Sequence, residues 1–262
     1  MLGLASTAAV QAAPDPPDPD VVLVAHRGAV GQGQPENTLA AYRQAIASGA
    51  EAIEIDLRGT KDGEIVVIHD STVDRTTNGS GAVADHARAL GRQLAEGRGE
   101  RIATCGEVLQ LVAGAGIVLL LDIKKGGVLD RRQVVHLTEE HGAVANVIVG
   151  PRNLADLRAF RELNPDLRTL GFVDEIEDIA PFVQAGADII RLWPEWIYAN
   201  PALVTRVHEL GRQAWTIAGD APRLELEKLI RLGVRGILVD RPAVLSELLA
   251  EMSKNRGLET TR

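Results

Sequence analysis

From Val21 onward, short apolar runs alternate with longer stretches that carry the three-to-four-residue spacing of amphipathic helices. Nine runs read as strands: VVLVA (21–25), EAIEID (51–56), EIVVIH (64–69), IVLLLD (117–122), ANVIVG (145–150), LRTLGF (167–172), ADIIRL (187–192), QAWTIA (213–218) and RGILVD (235–240). Between most of them lie helical patterns such as NTLAAYRQAIASG (37–49) and APRLELEKLIRLG (221–233), each ending on a glycine that stops a helix. Strands with nearly continuous hydrophobicity, separated by helices, form parallel β-α-β units. Eight such units close a barrel, and a doubly wound open sheet is the competing arrangement. Residues 70–103 break the rhythm. They are polar and glycine-rich, and read as an insertion between the second strand region and its helix.

Composition narrows the partners. The chain has 262 residues, 45% hydrophobic and 24% charged, as expected for a globular protein rather than a disordered one. No second core is evident, so residues 21–252 read as one α/β domain, with 253–262 as a polar tail. A lone Cys105 forms no internal disulfide. A net charge of −8 without a basic block argues against a nucleic-acid partner. Residues 1–20 stand apart: Leu2 to Ala13 is small and apolar, and Val10-Gln11-Ala12 before Ala13 resembles a signal-peptidase site. The segment is too short to span a bilayer and lacks a basic leader. It is read as an export signal remnant, which predicts a secreted or periplasmic protein; as a mere disordered tail it would leave the protein cytoplasmic.

Candidate chemistry gathers where strands end. Alternation puts Glu54 and Asp56 on one face of their strand and Ile53, Ile55 and Leu57 on the other. Asp122 and Lys124 likewise share a face, with Leu121 and Ile123 opposite. His26 and Arg27 close the first strand, His69 the third and Asp240 the last. The C-terminal ends of barrel strands are where α/β barrels build active sites. Three carboxylates at one mouth repel one another, and a divalent cation relieves them; all-oxygen ligands favour Ca²⁺ or Mg²⁺. The plainer alternative is salt bridges to Arg27, Arg58 and Lys124. His26 and His69 suit acid/base work, and Arg27 and Lys124 suit phosphate oxygens. His86, His136, His141 and His208 are read as surface residues. Neither a nucleotide-binding glycine-lysine loop nor a G-x-S-x-G elbow is present. Together these point to metal-assisted phosphate-ester chemistry, without naming the ester.

The blocks HRG, PENT, EIDLRGTKDGEIVVIHD and DRTTNGSG resemble the glycerophosphodiester phosphodiesterase family, and IATCGEVL, LLLDIK, AWTI and GILVDRP fit it too. The resemblance spans about Val21 to Leu249. It implies a (β/α)₈ TIM barrel with a small insertion after the second strand, hydrolysing glycerophosphodiesters to an alcohol and glycerol 3-phosphate with one divalent cation. It implies that His26 and His69 are the acid/base pair, that Glu54, Asp56 and Asp122 hold the metal, and that Arg27 and Lys124 hold the phosphate. A cyclic phosphate forms first in that scheme and water opens it. Trp215 and Trp193 are expected on the substrate. Three departures bear on specificity: Asp122 stands where the family usually has Glu, one methylene longer, which predicts a wider metal site or an extra water. The AVGQGQ loop is about two residues longer than is common, and IAGD follows Trp215 where Asn is frequent. A phospholipase D-like action on lysophospholipids or sphingolipids is the alternative; it needs an apolar ramp, for which Trp193, Trp196, Ile197 and Tyr198 are the candidates. A silent binding barrel would show the loss of a histidine or an acid, and none is lost. At the first loop, Asn37 or Thr38 is the expected helix cap, and Glu36 an alternative anchor.

Overall fold

The computed structural model describes residues 21–87 and 99–259. Each predicted strand forms. They are β1 (Val22–His26), β2 (Ala52–Gly59), β3 (Ile65–Val67), β4 (Val118–Ile123), β5 (Val147–Gly150), β6 (Arg168–Phe172), β7 (Ile189–Leu192), β8 (Gln213–Gly219) and β9 (Gly236–Val239). All except β3 are parallel to their neighbours, and β1 pairs with both β2 and β9, so eight strands close in the order β1-β2-β4-β5-β6-β7-β8-β9. The closed barrel, not the open sheet, is the architecture. β3 is an added antiparallel partner of β2, joined to it by the TKDG turn, so the run ending in His69 stands outside the ring.

The helices α1 (Leu39–Ala47), α2 (Cys105–Val112), α3 (Arg131–Glu140), α4 (Leu154–Leu163), α5 (Ile179–Gln184), α6 (Pro194–Ala199), α7 (Ala202–Glu209), α8 (Arg223–Arg231) and α9 (Pro242–Glu259) surround it. Local chemistry sets their ends. Thr38 caps α1 by accepting from Ala41 N, and Thr104 with Glu107 forms a reciprocal capping box on α2. α9 runs through the segment expected as a polar tail from 253; its SELLAEMSK stretch consists largely of good helix formers. The export-signal expectation for residues 1–20 lies outside the described residues, as do 88–98 of the insertion.

Strand alternation divides the interior in two. Ile53, Ile55, Leu57, Leu121 and Ile123 face outward into the shell between barrel and helices. Inward, Val24, Ala52, Leu120, Ile148, Leu170, Phe172, Ile189, Trp215 and Leu238 form a separate apolar plug. Trp215 fits because Gly236 beside it has no side chain; a Cβ there would lie 2.4 Å from the indole. The described part of the insertion packs Val73, Val83 and Ile102 against Val66 and Ile68 of the β3 run in a small separate cluster.

Candidate active site

Parallel register sets His26 beside Glu54 and Asp56 beside Asp122, on the inward face above the plug. One oxygen from each of Glu54, Asp56 and Asp122 lies within 4.8 Å of the others, and all three residues are buried. Lys124 Nζ is 2.6 Å from both Asp56 Oδ1 and Asp122 Oδ2, and Arg27 Nε is 3.3 Å from Asp56 Oδ2. Salt bridges and a metal-ready cluster therefore coexist. Burial, reinforced by Asp56 and Asp122, drives the Glu54 carboxyl well above its ordinary range. Burial acts the same way on Asp56, but the charges of Lys124 and Arg27 outweigh it and hold this acid ionised. Asp56 Oδ1 is buried, and the nearby ammonium is not aligned on it as a hydrogen-bond donor. Three converging oxygens, one without an aligned donor, fit a hard divalent cation.

The first loop is shaped to serve this cluster. Arg27 and Asn37 take left-handed backbone conformations, with φ of 54° and 57°. Such residues cost of order 1–3 kcal/mol, offset here by bonds that only this geometry allows. Arg27 N donates to Glu54 Oε2 at 3.0 Å, and Asn37 N to Arg27 O at 3.0 Å. Gly28, at φ 92°, lies so close to α1 that a Cβ would sit 2.7 Å from that of Ala41. Thr38 is the cap; Asn37 instead donates to Asp56 Oδ2 at 2.7 Å and accepts from the Tyr42 hydroxyl at 3.0 Å. Glu36 does anchor the loop, accepting from Arg27 Nη1 and from Arg75 of the insertion.

Both histidines are held through Nδ1. His26 pairs with Asp240 Oδ1 at 2.8 Å, and His69 with Asp70 Oδ1 at 2.8 Å. An ionised carboxylate only accepts, so each Nδ1 carries a proton and each Nε2 is left as the working atom. Burial lowers the His69 pKa, with the Asp70 bond opposing. Asp70 in turn is held to about 2, chiefly by Arg75. Arg58 does not join the acids; it donates to His69 O at 3.0 and 2.8 Å and to Lys125 O at 3.3 Å.

Two arginines that the strand pattern alone did not single out complete the mouth. Arg152, just past β5, clamps Asp122 with Nε to Oδ1 at 2.8 Å and Nη2 to Oδ2 at 2.6 Å. The extra space expected from an aspartate at 122 is thus faced by a guanidinium. Arg191 is buried on the inward face of β7, donates to Val173 O, and leaves Nε and Nη1 without partners. Its Cζ lies 3.6 Å from the centroid of the half-buried Trp193 ring.

The other expectations fare unevenly. Trp193 stands at the end of β7 beside the mouth. Trp215 does not: it is 2% exposed within the plug, and its N–H bonds Gln213 at the strand's opening end. A substrate contact by Trp215 is corrected to a core role. The ramp also dissolves, because Ile197 is fully buried and Trp196 and Tyr198 pack against the outer core. His208 is half-buried, bridging the Arg212 and Gly233 carbonyls, rather than a surface group. No helix among the described residues is long and apolar enough to cross a membrane.

Comparison with known proteins agrees with this geometry. The model of the glycerophosphoryl diester phosphodiesterase family matches residues 26–244. A glycerophosphodiester phosphodiesterase from Caldanaerobacter subterraneus is 33% identical over 241 residues, covering 87% of this chain and 97% of its own. One from Bacillus subtilis is 29% identical, covering 86% and 85%. Among solved structures, the Agrobacterium tumefaciens glycerophosphodiester phosphodiesterase superposes with a TM-score of 0.78 at 25% identity, over 87% of this chain and 99% of that one. Since the family model and a near-full-length relative agree across the same barrel, this chain belongs to the glycerophosphoryl diester phosphodiesterase family.

Proposed function

We propose that the protein hydrolyses glycerophosphodiesters to an alcohol and glycerol 3-phosphate, with Ca²⁺ or Mg²⁺ held by Glu54, Asp56 and Asp122 and with His26 and His69 as the acid/base pair. The observation that carries this reading is the meeting of two carboxylate-anchored imidazoles with the three buried acids at one mouth. Membership of the family supports the substrate class.

When bound, the cation supplies charge neutralisation to the phosphate oxygens and to the acids themselves. Arg27 and Lys124 orient the phosphate. One imidazole Nε2 accepts the proton of the substrate's adjacent glycerol hydroxyl as its oxygen bonds to phosphorus; the other protonates the departing alkoxide as the old P–O bond breaks. The product of this step is a cyclic phosphate and a free alcohol. The imidazoles then exchange duties: one takes a proton from water as it attacks phosphorus, and the other returns a proton to the ring oxygen that leaves. Asp240 and Asp70 keep each Nδ1 protonated throughout.

Phosphorus NMR of glycerophosphocholine, with chelated protein and with added Ca²⁺ or Mg²⁺, tests the reading. Metal-dependent appearance of glycerol 3-phosphate is expected. Undiminished turnover in thoroughly chelated protein would remove the metal role, and no turnover with either cation would remove this substrate.

A further inference from the structure

Asp122 is already occupied. Its Oδ2 accepts from both Arg152 Nη2 and Lys124 Nζ, each at 2.6 Å, and its Oδ1 accepts from Arg152 Nε at 2.8 Å. A carboxylate oxygen offers about two lone pairs, so Oδ2 is saturated and Oδ1 has one direction left. Charge tells the same story. Arg27 and Lys124 stand on Asp56, and Lys124 and Arg152 on Asp122, so both of these acids already have counter-cations without any added ion.

We infer that Arg152 is an internal counter-cation that competes with the divalent metal for Asp122, and so sets the affinity of the metal site. This rests on the metal reading above and goes beyond it, because the competitor belongs to the chain itself. The fork-on-fork geometry is the strongest an arginine makes with a carboxylate, and a metal that takes both oxygens must displace it. The displaced side chain has somewhere to go. It stacks over the Phe172 ring at 4.6 Å, and it is 21% exposed at the mouth. Phe172 itself reaches this position because Gly150, the inward neighbour of Asp122, has no side chain; a Cβ there would lie 2.4 Å from the ring. The Arg191 guanidinium lies 5.8 Å from the centroid of the same ring, and repulsion between the two guanidinia works against any move of Arg152 closer to it. Release toward the open mouth is the remaining course.

The opposite role is a fair competitor: an arginine outside the ligand sphere can orient a carboxylate for its metal and strengthen binding. The two roles predict opposite signs. Chelator-treated full-length protein, Arg152→Met and Arg152→Lys are each titrated with Ca²⁺ and with Mg²⁺ by calorimetry, and their melting temperatures are recorded with and without metal. Arg152→Met is expected to bind at least tenfold more tightly than the unaltered protein. It is also expected to melt at a lower temperature when metal-free and to gain more on adding metal, because Asp122 then lacks its partner. Arg152→Lys, which makes one contact in place of two, falls between and keeps the test open should the Met variant fold poorly. Equal or weaker metal binding in both variants overturns the inference while leaving the metal site standing. Absence of binding in the unaltered protein and both variants overturns the metal reading and the inference with it.

Discussion

The two histidines that we propose as the acid/base pair reach the same mouth by different routes. His26 ends β1, inside the ring, and its anchor Asp240 follows β9, the adjacent strand at the barrel's closure. His69 follows β3, outside the ring, and its anchor is the next residue in sequence. The first is 17% exposed and the second 35%. What the barrel does for His26, a ladder of ions does for His69: Asp70 is held by Arg75, Arg75 by Glu36, and Glu36 meets Arg27. One imidazole is anchored by a carboxylate that the closed sheet brings alongside from the end of β9, and the other by charges on a polar insertion. Both anchors are ionic, but the second runs through the exposed Arg75 and is the more open to screening by salt.

The largest expected effect falls on both residues alike. His26→Ala or His69→Ala should each lower kcat by about 10²-fold or more, the scale of general acid–base groups; wild-type rates in either would remove its role. The anchors should then separate the two. Asp240→Ala is expected to cost about 10–100-fold in activity, as for other groups that orient a working imidazole, and Asp70→Ala less, because water reaches His69 more readily. Equal losses would erase the contrast. In Asp70→Asn, His69 loses the carboxylate charge that opposes desolvation, so its imidazole, followed by NMR, should titrate at still lower pH.

The smallest effect is thermal. Folding depresses the Asp70 carboxyl from an ordinary ~3.9 to about 2, chiefly through Arg75. A depressed carboxylate contributes stability that is complete above its unfolded value and is lost as pH falls through the folded one. The contribution of the ladder should therefore be full above about pH 4 and decline toward pH 2. Arg75→Ala should flatten that part of the melting-temperature profile, and an unaltered acid limb in that variant would remove the ladder's contribution.

Much of this was legible in order along the chain. Each strand was visible because a buried strand must be apolar for its whole length, and the acids were visible because polar residues ending such runs have few other reasons to be there. Pairings across the ring were not: His26 and Asp240 are 214 residues apart, and nothing local marks them as partners. Arg191 does leave a signal, a cation in IIRL on the inward parity shared with Ile189. Arg152 left less, since PRN after β5 reads as an ordinary turn. The substrate contact that the resemblance implies for Trp215 fails on height, which neither resemblance nor parity supplies. Trp215 lies inward, as the pattern requires, but beside Gly236 at the start of β9. The last helix outran its expected end because a polar surface is no obstacle to a helix built of good helix formers.

The apolar plug beneath the acids has a consequence for traffic. With Val24, Leu120, Leu170, Trp215 and Leu238 filling the bore beneath the acids, what the proposed reaction consumes and discards would pass on the mouth side. In the two-step mechanism proposed above, water for the second step would enter by the route the alcohol takes out. On that mechanism an alcohol slow to depart would do more than delay turnover: it would stand where the water must stand, and could re-attack the proposed cyclic phosphate and restore the starting diester. Bulky or sticky alcohols should for this reason raise exchange of labelled alcohol back into substrate relative to net hydrolysis.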